Sequence, residues 1–262
     1  MTKYFFLIIF CLLASACSGA GTETAKLVNT EPPSNTKASE PSNSTNTNSS
    51  TSIGERIEKE TPVTFEGASL PDGWTFVDND AKEKPSPYSM SDGKFKLTIP
   101  GGKDLYADNY GAPHLVKAVS GNFEIEARVK FDPKSDYQGA GLLIFHDAKN
   151  YLRLERCMGG TGGSGSGIRL DSRKGDEYIP ISTPDRAETD ADEVDLKIVR
   201  MGKKFIAFWR LNEESEWKEV GEFDSAYPET VRVGLIGVNT ADEITAEFSN
   251  VKLLPIAGTS KT

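Results

Sequence analysis

Phe123-Glu-Ile-Glu-Ala-Arg-Val-Lys-Phe131 alternates apolar and polar residues without a break. Phe123, Ile125, Ala127, Val129 and Phe131 fall on one side, and Glu124, Glu126, Arg128 and Lys130 on the other. Successive side chains of an extended chain point to opposite faces, so this is a strand with one buried face and a charged outer face. A helix would spread the same apolar residues around its circumference.

The pattern recurs on both sides of this stretch. Phe95 to Ile99 alternates, and Ala140 to Phe145 is nearly continuous in apolar residues, as expected of a central strand buried on both faces. Tyr151-Leu-Arg-Leu-Glu155 places Leu152 and Leu154 inward. Further strands are expected at 167–170, 195–201, 205–211, 217–223, 231–238 and 246–254. Polar or glycine-bearing breaks at Ser91-Asp-Gly93, Asp147 to Asn150, Met201-Gly202 and Asn212 to Ser215 read as turns. No segment of this region holds a helical period. The fold class expected is all-β, a two-sheet antiparallel jelly-roll sandwich.

The chain ahead of this region has a different character. Met1-Thr2-Lys3 is a short positive start, and Tyr4 to Leu13 is an apolar run too short to span a bilayer. Leu13-Ala14-Ser15-Ala16-Cys17 resembles a bacterial lipobox, with Ala14 in place of the usual leucine. Residues 1–16 are therefore expected to be a lipoprotein signal peptide and Cys17 the lipidated residue. Residues 17–60, rich in Ser, Thr, Asn and Pro, are expected to form a disordered tether, since they hold too little apolar surface to offset ordering entropy. A coil of about 40 residues reaches roughly 35 Å. The β domain is placed at 61–255, with a disordered tail at 256–262. The expected location is outside the inner membrane, lipid-anchored to the envelope, and in the outer membrane if the cell is Gram-negative.

The formal charge of −9 and the absence of a basic run exclude nucleic acid as a partner class. Of three cysteines, Cys11 and Cys17 precede the domain, which leaves Cys157 alone and expected to be a buried small residue.

Several stretches together resemble the concanavalin A-like lectin/glucanase superfamily. They are Leu70-Pro-Asp-Gly-Trp74, Ala112 to Lys117, Gly121 to Arg128, Gln138 to Glu155, Leu196 to Arg200, Trp217 to Gly221 and Val233 to Gly237. Within it, the chain is similar to regulation-of-enolase-type bacterial proteins and to the C-terminal domain of family-43 β-xylosidases. The resemblance implies a jelly roll with one concave face, and it allows calcium, with Asp78, Asp80 and Asp104 as loop candidates. No other cofactor is implied.

Hydrolases of this superfamily use paired carboxylates on one strand. Glu124 and Glu126 share a face, but Arg128 stands where a third acid would continue the pattern. They are read as an outer ladder with Arg128, Lys130, Arg153 and Glu155 on neighbouring strands. His114 and His146 lack metal partners at ligand spacing, and Asp147 is expected to cap a turn. The run Gly159 to Gly167 lacks the Lys-Ser/Thr ending of a phosphate loop and is expected to be a hairpin loop. Trp74, Tyr106, Tyr110, Tyr151, Trp209 and Trp217 are the aromatic candidates for stacking on sugar rings. The site expected is one polar concave face holding Glu126, Arg128, Tyr151, Arg153 and Glu155, with a polysaccharide or glycan as ligand and no catalysis. A glycoside hydrolase and a structural or protein-interaction lipoprotein are the alternatives.

Overall fold

The computed structural model describes residues 62–159, 165–182 and 187–257. The signal peptide, Cys17, the whole of the tether and the tail from residue 258 lie outside the described residues. Seventeen strands, in chain order, are β1 (Trp74–Val77), β2 (Tyr88–Ser91), β3 (Lys94–Ile99), β4 (Leu105–Tyr106), β5 (Asn109–Tyr110), β6 (His114–Ser120), β7 (Phe123–Lys130), β8 (Gln138–Asp147), β9 (Asn150–Met158), β10 (Ser166–Lys174), β11 (Glu177–Pro180), β12 (Ala187–Glu188), β13 (Glu193–Met201), β14 (Lys204–Arg210), β15 (Lys218–Asp224), β16 (Thr230–Val238) and β17 (Ile244–Pro255). No helix occurs among the described residues.

Every pairing is antiparallel. One sheet runs β1-β6-β16-β8-β9-β10-β11, with β12 also on β10, and the other runs β15-β14-β13-β7-β17-β3-β2. A separate two-stranded hairpin, β4–β5, belongs to neither. The strands that head the alternating pattern thus lie in different sheets: β7 is central in the seven-stranded sheet, and β8 and β9 are central in the eight-stranded one.

The core lies between the sheets and follows the alternation. From β7 it takes Phe123, Ile125, Ala127 and Val129, and from β8 to β10 Leu142, Ile144, Leu152, Leu154, Ile168 and Leu170. Each fully buried aliphatic side chain contributes roughly 1.5–3 kcal/mol relative to exposure. The strand around Trp209, apolar on both sides in sequence, is resolved by register: Phe205, Ala207 and Trp209 face the core, while Phe208 lies beside Lys197. Trp74 is also a core residue.

The turns obey local chemistry. Ser91 pairs with Lys94, so Asp92 and Gly93 alone make the β2–β3 hairpin loop. Both have positive φ (54° and 73°), the conformation of a two-residue type I′ turn. Asp147 Oδ1 accepts from the Lys149 N–H at 2.8 Å and from Asn150 Nδ2 at 2.9 Å, capping the β8–β9 turn as expected. Met158 pairs with Ser166, so the glycine-rich run joins two antiparallel neighbours.

Candidate functional site

With Leu152 and Leu154 turned inward, Tyr151, Arg153, Glu155 and Cys157 project from the outer face of the eight-stranded sheet. On β10, Ile168 and Leu170 turn inward, so Arg169, Asp171 and Arg173 project outward beside them. The register sets Asp171 against Arg153 and Arg169 against Glu155. Arg153 grips Asp171 with two donors, Nε to Oδ1 at 2.9 Å and Nη2 to Oδ2 at 3.1 Å. Arg169 Nη2 donates to Glu155 Oε2 at 2.6 Å, and its Nε stands 2.8 Å from Asp171 Oδ2. Tyr178, on β11, adds a hydroxyl donor to Asp171 Oδ2 at 3.1 Å.

All four charges are buried, with Glu155 and Asp171 fully so. Burial works to raise the Asp171 carboxyl, but Arg153 and Arg169 overcome it and hold its pKa below the ordinary carboxylate range. Burial likewise opposes the Arg153 charge, and Asp171 and Glu155 outweigh it, raising that pKa.

The β4–β5 hairpin covers the Tyr151 end of this outer face. Leu105 packs with Val116, Leu143, Phe145, Tyr151, Ile236 and Val238 in a second apolar cluster. The Tyr151 hydroxyl donates to the Leu105 carbonyl, and Arg173 Nη1 donates to the Ala107 carbonyl at 3.0 Å. Lys103 and Asn239 exchange backbone hydrogen bonds of 2.8 and 2.7 Å at the hairpin's base. Tyr151, expected as an outward sugar platform, therefore has the outward parity but none of the exposure. It is fully buried, and burial pushes its phenol up to about 12.

Beyond the hairpin's edge the same face opens into a cavity of about 380 Å³. Its floor is Arg153, Arg169 and Val238; Asp104, Tyr106 and Tyr178 line it from the hairpin and β11, and Tyr137 and Thr240 from loops. Tyr106 and Tyr137 are 49% and 56% exposed, so two tyrosine rings of this cavity face solvent. Tyr137 has φ of 64°, a conformation a bulky residue adopts only when its surroundings hold it.

The single polar face expected from the sequence is corrected here. Tyr151, Arg153 and Glu155 lie on the outer face of one sheet, whereas Glu126 and Arg128 lie on the outer face of the other. The expected ladder is corrected with it, because the neighbours of β7 are β13 and β17. Glu126 sits between Lys197 Nζ at 3.7 Å and Lys252 Nζ at 3.8 Å. Arg128 donates to Glu193 at 3.0 Å and to Asp195 at 2.8 Å, and Arg210 joins Asp195 at 2.8 Å. Trp217 lies against this group, with Lys197 Nζ 4.0 Å and the Arg210 guanidinium 4.4 Å from its ring centre. The crevice beside Glu126 and Arg128 measures about 20 Å³, room for roughly one water. Glu124 is buried and flanked in register by Val199 and Leu254.

Of the calcium candidates, Asp78 and Asp80 converge on the fully buried ammonium of Lys103, Asp78 Oδ1 at 2.7 Å. A lysine thus occupies the centre of the pair. Burial works to raise the Asp78 carboxyl, but hydrogen bonds from Lys103 and Ser86 overcome it and leave its pKa lowered. Asp104 belongs instead to the cavity. His114 is buried, packs against Phe145 with ring centres 5.0 Å apart and planes tilted by 42°, and donates from Nδ1 to the Ala112 carbonyl at 2.9 Å. Burial lowers its pKa. Cys157 is buried.

Sequence reasoning missed Arg169, Asp171, Tyr178, Tyr137 and Thr240. The first two carried a signal, since Ile168 and Leu170 fix their parity. Tyr137 and Thr240 arrive on loops whose positions only the folded chain defines.

Residues 63–238 match the protein family described as the β-xylosidase C-terminal concanavalin A-like domain. No curated protein sequence matches the chain. Among solved structures, the GH43 protein BlXynB of Bacillus licheniformis superposes with a TM-score of 0.60 and 18% identity, over 73% of this chain and 38% of its own. A functionally unknown protein of Saccharomyces cerevisiae gives 0.58 and 15%, over 71% and 98%. The exoplasmic/lumenal domain of VIP36, in a Ca²⁺/Man3GlcNAc-bound form, gives 0.51 and 11%, over 76% and 91%. These likenesses establish the fold. The chain spans about two fifths of the length of BlXynB.

Proposed function

The chain belongs to the family of β-xylosidase C-terminal concanavalin A-like domains, and on that premise we propose that it is a non-catalytic carbohydrate-binding domain carried on a lipid anchor. The cavity on the outer face of the eight-stranded sheet carries this proposal. Sugars are held by aromatic faces against their C–H surfaces and by fixed polar groups against their hydroxyls. Tyr106, Tyr137 and Tyr178 supply the first and Arg153, Arg169 and Asp104 the second. Its volume lies within the range of small-ligand sites. The same fold accompanies bound Man3GlcNAc in VIP36.

Calorimetric titration of the full-length chain, purified in detergent, against a panel of plant and microbial polysaccharides tests it. Saturable binding without product release is expected, and Tyr106→Ala should weaken it at least about tenfold, or 1.4 kcal/mol. A panel that stays silent throughout overturns the proposal.

Anchoring rests on Cys17 and the apolar segment before it. Cys17→Ser is expected to abolish fatty-acid labelling in cells and to move the protein from the membrane to the soluble fraction. A single acyl chain holds only weakly, so retention in the wild type reports several chains or one chain plus a second contact. Equal labelling of both forms would remove Cys17 from the account.

A further inference from the structure

The floor of the cavity holds an unmet hydrogen-bond donor. Arg153 commits Nε and Nη2 to Asp171, but its Nη1 is buried and has no hydrogen-bond partner. Asp104 Oδ1 lies 3.8 Å away, beyond hydrogen-bond reach. Both residues line the cavity, and the Arg153 side chain is only 4% exposed. A buried donor left without an acceptor is costly, and native structures normally supply one.

The character of the missing acceptor follows from charge. Arg153 and Arg169 are balanced by Glu155 and Asp171, so neither guanidinium is left over for an anion. Asp104 then adds a negative charge. A carboxylate ligand only accepts hydrogen bonds and would be repelled by Asp104. A hydroxyl both accepts and donates, so one oxygen seated between Arg153 Nη1 and Asp104 satisfies both.

The hairpin decides how a chain would enter. Leu105 and its neighbours cover the outward positions of Leu143, Phe145 and Tyr151. A polysaccharide laid along this sheet would run into that cover. An end that stops over Arg153 would not.

Building on the glycan reading above, we propose that the cavity takes the terminal residue of a neutral glycan, and that Arg153 and Asp104 together grip one hydroxyl of that residue. Xylotriose, cellotriose, mannotriose and trigalacturonate, each with its polymer, are titrated into the full-length chain in detergent. At least one neutral trimer is expected to bind, with one protein per chain end on the matching polymer and no binding of trigalacturonate. Asp104→Ala should weaken the neutral trimer at least about tenfold, while the melting temperature falls only by the few degrees that loss of the 2.7 Å Leu105 N–H bond to Asp104 Oδ1 entails. A monodeoxy series of the bound trimer, titrated into the unaltered protein, gives a measurement independent of any variant. Loss at one terminal hydroxyl is expected, and loss at none overturns the inference. Preference for trigalacturonate, or many proteins bound along one polymer, overturns the terminal, neutral assignment and leaves carbohydrate binding standing. Silence from every trimer and polymer overturns both.

Discussion

Asp171→Asn is expected to cost about 3–5 kcal/mol of stability, the usual penalty for removing one member of a buried ion pair. Asp171 is fully buried and answers two guanidiniums, through Arg153 Nε and Nη2 and through Arg169 Nε. Without its charge, Glu155 remains as the sole buried counter-charge for both arginines. At about 2–4 °C per kcal/mol for a domain of this size, the melting temperature should fall by roughly 6–20 °C. Thermal unfolding followed by circular dichroism reads this directly, and a fall of under two degrees would show that the network is not closed in solution.

The acid limb of the stability curve carries the same information. The Asp171 pKa is lowered in the folded state. Its contribution is therefore complete above the unfolded value of about 3.9 and is lost as pH falls through the lower folded value. Asp171→Asn should remove that part of the pH dependence. Replacing Arg153, Glu155, Arg169 and Asp171 together by apolar residues of similar volume should recover much of the lost stability, because a whole buried network contributes little net. The same replacement should abolish sugar binding. That pair of outcomes would separate what the charges do for the fold from what they do for the cavity.

The residues that make this network were half legible. Alternation at Tyr151 to Glu155 assigned the outward parity of Tyr151, Arg153 and Glu155, and the structure keeps it. Parity names a face of a strand, however, and does not say which sheet the strand joins. Glu126 and Glu155 look alike in sequence, each outward on an alternating strand, yet they end on opposite sides of the sandwich. The choice depends on pairings between distant segments, such as β7 with β17 and β8 with β16.

Burial was less legible than parity. Tyr151 is covered by β4–β5, a hairpin whose strands hold two residues each, too short for any periodicity to register. Lys103 belongs to a residue type seldom buried, and it is fully buried here because Asp78 and Asp80 meet its ammonium. Trp209 had no assignable face in an apolar run, and pairing with β13 and β15 turned it to the core. In each case the deciding partner lies in another element, so local chemistry alone leaves the answer open.

Gly141→Ala is expected to be among the most damaging single methyl additions on the cavity's sheet, matched there by Gly234→Ala, whose Cβ would overlap the Leu115 carbonyl oxygen. Gly141 sits in β8 between β9 and β16, opposite Glu155 and Ile236. A Cβ built there would overlap the Leu154 carbonyl oxygen and lie 2.8 Å from the Glu155 Cα. These are backbone atoms, so no rotamer change relieves the clash and β8 must move away from β9. Separation there disturbs Leu142, Ile144, Leu152 and Leu154 on the inner face and the charge network on the outer face at once. Overpacking usually costs about 1–3 kcal/mol, and a clash with backbone should exceed that. Gly139→Ala supplies the contrast, because the three atoms nearest its Cβ, at 3.0–3.2 Å, all belong to the Glu155 carboxylate. A displacement of a few tenths of an ångström in that side chain relieves the contact, so Gly139→Ala should cost less stability than Gly141→Ala while loosening the Glu155–Arg169 pair beneath the cavity. Melting temperatures of the two variants, with sugar binding measured on whichever folds, check the distinction. A Gly141→Ala protein that melts with the wild type would show that the close approach of β8 to β9 is not part of the native sheet.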